Sequence, residues 1–207
     1  MFEKFYALDV DKQKRILNAA MKEFDQKGYK NASTNEIVKD ANIGKGMLFH
    51  YFKSKKDLFL FLYDYTLDIL MNEFYEKINL NERDILKRLR QVIVIKFNLI
   101  NRHPDMLNFI KSAYFDNSDE IKEDLELRNS DYITIGNDKV LDNVDISKFK
   151  EGIDIERVIH TIMWTFEGVS SREREKLKKI SLNELNYNNL LTELDAYIEL
   201  FRESFYK

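Results

Sequence analysis

The 207 residues include no cysteine, one proline and six glycines. Without cysteine there is no disulfide, no thiolate metal site and no cysteine nucleophile, and a reducing compartment suits the chain. With so few helix breakers, long regular elements are expected, helices above all. No apolar run approaches the roughly 20 residues that span a bilayer. The opening stretch MFEKFYALDVDKQKR scatters acids and bases without an apolar core, so it does not read as a signal peptide. Together these features predict a cytoplasmic protein with no membrane partner. The histidines, His50, His103 and His160, lie far apart without ligand spacing, so neither a metal nor a cofactor is expected. No nucleophile motif points to an enzyme.

Hydrophobic residues make up 44% and charged residues 33%, a composition that supports a sizeable buried core. The net charge of −3 speaks against a nucleic-acid partner until its distribution is read. Residues 1–60 hold 12 Lys/Arg and 8 Asp/Glu, and the rest hold 21 and 28. A basic head on an acidic body concentrates phosphate contacts at one end.

Residues 10–27 read as a helix, with Ile16, Ala20 and Phe24 on one face and Gly28 as its stop. Ser33-Thr34-Asn35-Glu36 is a capping-box pattern opening a second, short helix through Ala41. Asn42 suits a left-handed turn position, and a third helix follows from about Lys45 to Tyr51. Ser54 caps a fourth, starting at Lys55 and running into the 70s. Two short helices joined by a turn of about four residues make the helix-turn-helix layout.

The remainder is also helical by pattern: residues 83–101, a helix from about Asp105 after Pro104, and another over 119–133. Residues 137–152 read as an irregular connection. Two further helices are expected over 154–169 and about 187–206. The fold class is all-α, with a helix-turn-helix domain over 1–54 and a helical body over 55–207.

The stretch NIGKGMLFHYF has a rival reading as a phosphate loop. That motif needs G-x-x-x-x-G-K-[ST] after a strand, whereas here Gly46 and Met47 follow Lys45 and a helix precedes it. The nucleotide reading fails on spacing.

The head resembles the DNA-binding domain of TetR-family transcriptional regulators over about residues 10–63. Gly28-Tyr29, Ser33-Thr34, Ile37, Ala41, Gly46, Leu48, Phe52, Ser54, Lys55 and Leu58 fall in place. In the body, Phe149 and the WTFEG segment are similar, more weakly, to the family's eighth helix. The head departs from the pattern at Met47 (often Thr), Phe49 (usually Tyr), Tyr51 (often His), Asn42 (often Gly) and Gly44 (often Ser). The lost hydroxyls at 47 and 49 imply fewer phosphate contacts.

For DNA binding, Lys45 is the candidate base reader, since lysine donates to guanine O6 and N7. Gly44 and Gly46 would admit close approach, and Met47, His50 and Tyr51 would face the duplex. Ser33, Thr34 and Lys55 would grip phosphate at helix N-termini. Leu48 and Phe52 would anchor the helix from behind. The resemblance further implies a small-molecule effector inside the body, for which Phe97, Met106, Phe109, Tyr114, Tyr132, Met163 and Phe166 are candidates, each equally readable as core. It also implies a homodimer on palindromic operator DNA. The interface candidates are Thr161, Trp164 and Gly168 with Leu194, Tyr197, Ile198, Phe201 and Phe205. A repressor released by an effector is the expected function. The alternatives are a DNA-binding architectural or partner-controlled regulator without a small-molecule switch, and a helical interaction protein whose head no longer binds DNA.

Overall fold

The computed structural model describes residues 2–177 and 187–207, with side chains described outside 131–138, 174 and 177. Among the described residues there are ten α-helices and no strand. They are α1 (Glu3–Tyr6), α2 (Val10–Asn31), α3 (Thr34–Asp40), α4 (Lys45–Tyr51), α5 (Lys55–Lys77), α6 (Ile85–Arg102), α7 (Pro104–Phe115), α8 (Asp119–Leu141), α9 (Ile155–Leu177) and α10 (Tyr187–Phe205). The chain divides into two compact units, one of residues 1–72 and 103–131, the other of 73–102 and 132–207. The first is larger than the expected head of 1–54, because the buried face of the head continues into Leu58, Phe59, Leu62, Phe109, Ala113 and Ile121.

The first unit is built on aromatic packing. Phe5, Phe52 and Phe61 meet with ring centroids 5.1–5.2 Å apart, and Phe59 packs edge-on against Phe24 and Phe109 at 5.0 and 5.5 Å. Burying each such ring stabilises by about 1.5–3 kcal/mol. α1, which no periodicity announced, exists to deliver Phe5, fully buried, into this cluster. α2 is capped by Asp9, whose Oδ1 accepts from the Lys12 amide at 2.8 Å. It breaks at Gly28, with φ 66° and ψ 169°.

The second unit is pinned by buried charge. Arg88 is fully buried, and its guanidinium donates to the carbonyls of Leu80, Glu82, Val140 and Asp142. Two of those carbonyls lie at the end of α8, where a helix leaves its last C=O groups unpaired. That is why α8 reaches Leu141 rather than stopping near 133 as the pattern suggested. Asp84, also buried, receives Lys148 and the Tyr206 hydroxyl, both at 3.0 Å. Phe149 and Tyr206 form an isolated antiparallel bridge with their rings 5.0 Å apart, tying the chain's last residues to the segment before α9. Phe166 of α9 faces Phe201 of α10, and Arg90 of α6 pairs with Asp195 of α10 through two hydrogen bonds at 2.7 and 3.0 Å.

Candidate nucleic-acid interface

The turn between α3 and α4 is a Schellman closure. The Ile43 amide donates to the Val38 carbonyl at 3.0 Å and the Asn42 amide to Lys39 at 3.1 Å. Asn42 takes the left-handed conformation this closure needs, at φ 53°. α2 secures α3 from outside: the Lys22 ammonium pairs with Asp40 at 3.1 Å, and Arg15 donates to the Ala41 carbonyl at 3.5 Å. Cations at a helix C-terminus also oppose the helix dipole.

α4 is seated by Leu48 and Phe52, both buried. At 3.6 residues per turn, Gly46 and His50 then face away from the core, flanked by Phe49 on one side and Met47 on the other. Met47 is 37% and Phe49 38% exposed. Lys45 stands exposed at the first turn and has no ion-pair partner among the described residues. Residues 41–56 contain four lysines and no Asp or Glu, although Lys56 is paired with Asp124 at 2.8 Å. Neither Gly44 nor Gly46 has a positive φ, and a Cβ at either would meet nothing within 4 Å. The fold therefore does not require glycine there.

Other predicted positions are placed differently. Ser33 is the residue before α3, but its hydroxyl makes no capping bond; its amide donates instead to Glu23 Oε1 at 2.9 Å. The capping box is not formed, because α2 supplies the acceptor. Ser33 and Thr34 are half-buried. Tyr51 is also half-buried, with its ring 6.4 Å from Phe5 and edge-on to it, so part of its surface belongs to the core. Lys55 points back into the protein: its ammonium donates to the carbonyls of Lys30 at 3.2 Å and Ala32 at 3.4 Å and lies 4.7 Å from the Tyr29 ring centre. Lys53 is exposed just past α4 with no ion-pair partner among the described residues, and the acid-free run 41–56 is the sequence signal that points to it. Ser54 caps α5 as read, its Oγ accepting from the Asp57 amide at 3.0 Å.

The body candidates do not gather into one site. Phe109 is fully buried between Phe24 and Phe59, a core residue of the first unit. Met106 packs against that same core, and Tyr114 is 47% exposed. In the second unit Phe97 meets the Tyr187 ring at 4.6 Å, Phe166 meets Phe201, and Met163 is half-buried on α9. Tyr132 lies outside the described side chains. Of the interface candidates, Leu194, Ile198 and Phe201 are buried within the protomer, because α10 spends that face on α6 and α9. Tyr197 and Phe205 are half-buried, their rings stacked on Phe201. Thr161, Trp164 and Gly168 form an exposed stripe on α9, with Trp164 72% exposed and stacked on His160.

A short helix held at a tight turn, anchored from behind and lysine-bearing at its first turn, defines a helix-turn-helix protein of the kind that docks in a DNA groove. Comparison with known proteins agrees. Residues 16–62 match the family model for bacterial regulatory proteins of the tetR family. YhgD, an HTH-type regulator of Bacillus subtilis, is 39% identical over 70 residues, which cover 34% of this chain and 35% of that protein. YuxN of the same organism is 29% identical over 116 residues, covering 55% and 39%. The chain thus aligns with little more than a third of the length of these two relatives. An HTH-type regulator of Staphylococcus aureus is 27% identical over 149 residues, covering 67% of this chain and 80% of that one. Among solved structures, the fatty acid degradation regulator FadR from Bacillus halodurans shares the fold, with TM-score 0.64 at 17% identity over 92% of this chain and 94% of that one. The FadR structure from Bacillus subtilis in complex with stearoyl-CoA aligns with TM-score 0.57 at 17% identity, over 91% and 96%. Residues 16–62 thus match the DNA-binding domain of tetR-family bacterial regulators, and the chain as a whole shares the fold of solved regulators of that type.

Among the described residues no cluster of His, Asp or Glu is arranged to hold a metal ion, and no helix is long and apolar enough to cross a membrane.

Proposed function

We propose that this regulator is a homodimeric repressor that binds palindromic operator DNA through α4 and releases it when a small molecule occupies the body. The observation that carries the DNA part is the α4 surface: an unpaired Lys45 at its first turn, an outer face of Gly46 and His50, and no carboxylate between residues 41 and 56. Lys45 reads a guanine edge, while Lys53 and the half-buried hydroxyls at Ser33 and Thr34 serve the phosphates. Lys55 acts from behind, by holding the loop before α3.

The exposed stripe of Thr161, Trp164 and Gly168 supports dimerisation. Small residues beside a large aromatic allow close helix approach, and a two-fold axis would pair each stripe with its copy. Dimers read half-sites about one helical turn, roughly 34–36 Å, apart. The fold neighbour that holds stearoyl-CoA supports an effector-controlled reading. Phe97, Met163 and Phe166, together with Tyr187, are the second-unit residues we assign to effector contact. Effector and DNA then oppose each other with a coupling of about 1–3 kcal/mol, or 5–150-fold in affinity.

The test is selection of bound duplexes from a random pool, repeated with fatty acyl-CoA esters and other small molecules. An inverted-repeat sequence that is enriched, and lost on adding one compound class, is the expected result. Enrichment of a sequence that no compound displaces overturns the effector part.

A further inference from the structure

The six residues from Gly28 to Ser33, the turn of α2 beyond its break and the two residues before α3, lead into the helix-turn-helix. The Ala32 amide keeps a helical bond to the Gly28 carbonyl at 3.1 Å, and side chains tie the segment to its surroundings. Glu23 takes the Ser33 amide, Lys55 donates to the carbonyls of residues 30 and 32, and Asp116 takes the Tyr29 amide.

Asp116 differs from the other two because it lies far away in sequence, at the corner between α7 and α8. Its Oδ2 accepts from the Tyr29 amide at 2.7 Å, and its Oδ1 accepts from the Ser118 amide at 2.9 Å, at the start of α8. One carboxylate thus bridges the α8 N-terminus and the loop that carries α3. The approach is close enough that a Cβ on Gly28 would lie 3.3 Å from the same Oδ2, at a φ of +66° that side chains rarely adopt. One turn earlier on α7, Ser112 Oγ reaches the carbonyls of Phe24 and Asp25 at 3.4 and 3.3 Å, so the same corner also holds the last turn of α2. The bond from the Tyr29 amide is charge-assisted, as are those of Glu23 and Lys55, and at 2.7 Å it is the shortest of them.

We propose that Asp116 is a positioning residue for operator binding: its carboxylate staples the α2–α3 loop to the α7–α8 corner and thereby fixes the direction of α3 and α4. The proposal rests on the DNA-binding reading above. It also makes the corner between α7 and α8 a place where α8 is tied to the loop that carries α3.

Asp116→Asn separates this role from a merely structural one. An amide has one oxygen, so it can keep the local bond to Ser118 but must then present an NH₂ group to the Tyr29 amide. Two measurements follow, one without DNA. In the full-length protein, hydrogen exchange at the Tyr29 amide should speed up about tenfold or more, in proportion to the lost hydrogen bond, while amides of Ile16 to Phe24 keep their protection. Unchanged protection at Tyr29 overturns the staple, whatever the protein binds. With the duplex selected by the wild-type protein, Asp116→Asn, assayed well below its melting temperature, should lose at least about fivefold in specific affinity and little in non-specific affinity. A variant whose Tyr29 amide is freed, yet which keeps the wild-type ratio of specific to non-specific binding, shows a staple without a positioning role and overturns the proposal. If the wild-type protein selects no duplex, the DNA-binding reading fails on its own, and the exchange result still decides whether the staple exists.

Discussion

Gly46 occupies a helix where alanine would be favoured by up to about 1 kcal/mol, and nothing in the protomer blocks the added methyl. Its side-chain position faces outward, next to His50. Gly46→Ala is therefore expected to raise the melting temperature slightly and to weaken operator binding, since the methyl would stand between α4 and the groove. Equal operator affinity for wild type and Gly46→Ala would mean that this face does not approach DNA. Met47 and Phe49 show the same surface from another side. Both are about two-fifths exposed, and neither offers a hydroxyl to phosphate, so the proposed DNA complex would rest more heavily on Lys45 and Lys53.

At the scale of elements, the charged knot of the second unit carries a pH dependence. Burial alone would push the Asp84 carboxyl up; Lys148, the Tyr206 hydroxyl and the Lys87 amide overcome it and hold the group below its ordinary range. A depressed folded value means the contribution is full above the unfolded value of about 3.9 and is lost as pH falls through the folded one. Asp84→Asn should thus be less stable than wild type at neutral pH, with the gap closing as pH drops below about 4. Chemical denaturation at a series of pH values checks this, and a gap independent of pH would contradict it.

This knot also marks where the sequence stopped being legible. Helix periods located α2, α6 and α10 and the turn at Asn42, because those depend on local spacing and on which residues tolerate a left-handed backbone. The end of α8 is bonded by Arg88, some fifty residues earlier, and the Tyr29 amide before α3 by Asp116, nearly ninety residues later. No local pattern encodes such partners. For the same reason Lys45 was readable as a free cation, whereas Lys55 was not readable as an internal donor, and the apolar stripe of α10 looked the same whether it faced a second copy or α6 and α9.

At the scale of the whole molecule, dimerisation should depend on the exposed α9 stripe. Trp164→Glu places a charge where two copies of α9 would meet, and sedimentation should show a shift from dimer to monomer at micromolar concentration. Specific DNA affinity should fall with it, because a monomer reads only one half-site. A dimer of unchanged stability in this variant would move the interface elsewhere.

In the proposed complex α4, led by Lys45, reads DNA. The most direct measurement is the affinity of wild type and Lys45→Ala for the selected duplex and for a scrambled one, each over a range of salt from about 50 to 200 mM. Log affinity of the wild type should fall linearly with log salt on both duplexes, and Lys45→Ala should lose about 1–3 kcal/mol on the selected duplex alone. Equal binding of both proteins to the selected duplex, or no salt-dependent binding at all, would contradict it.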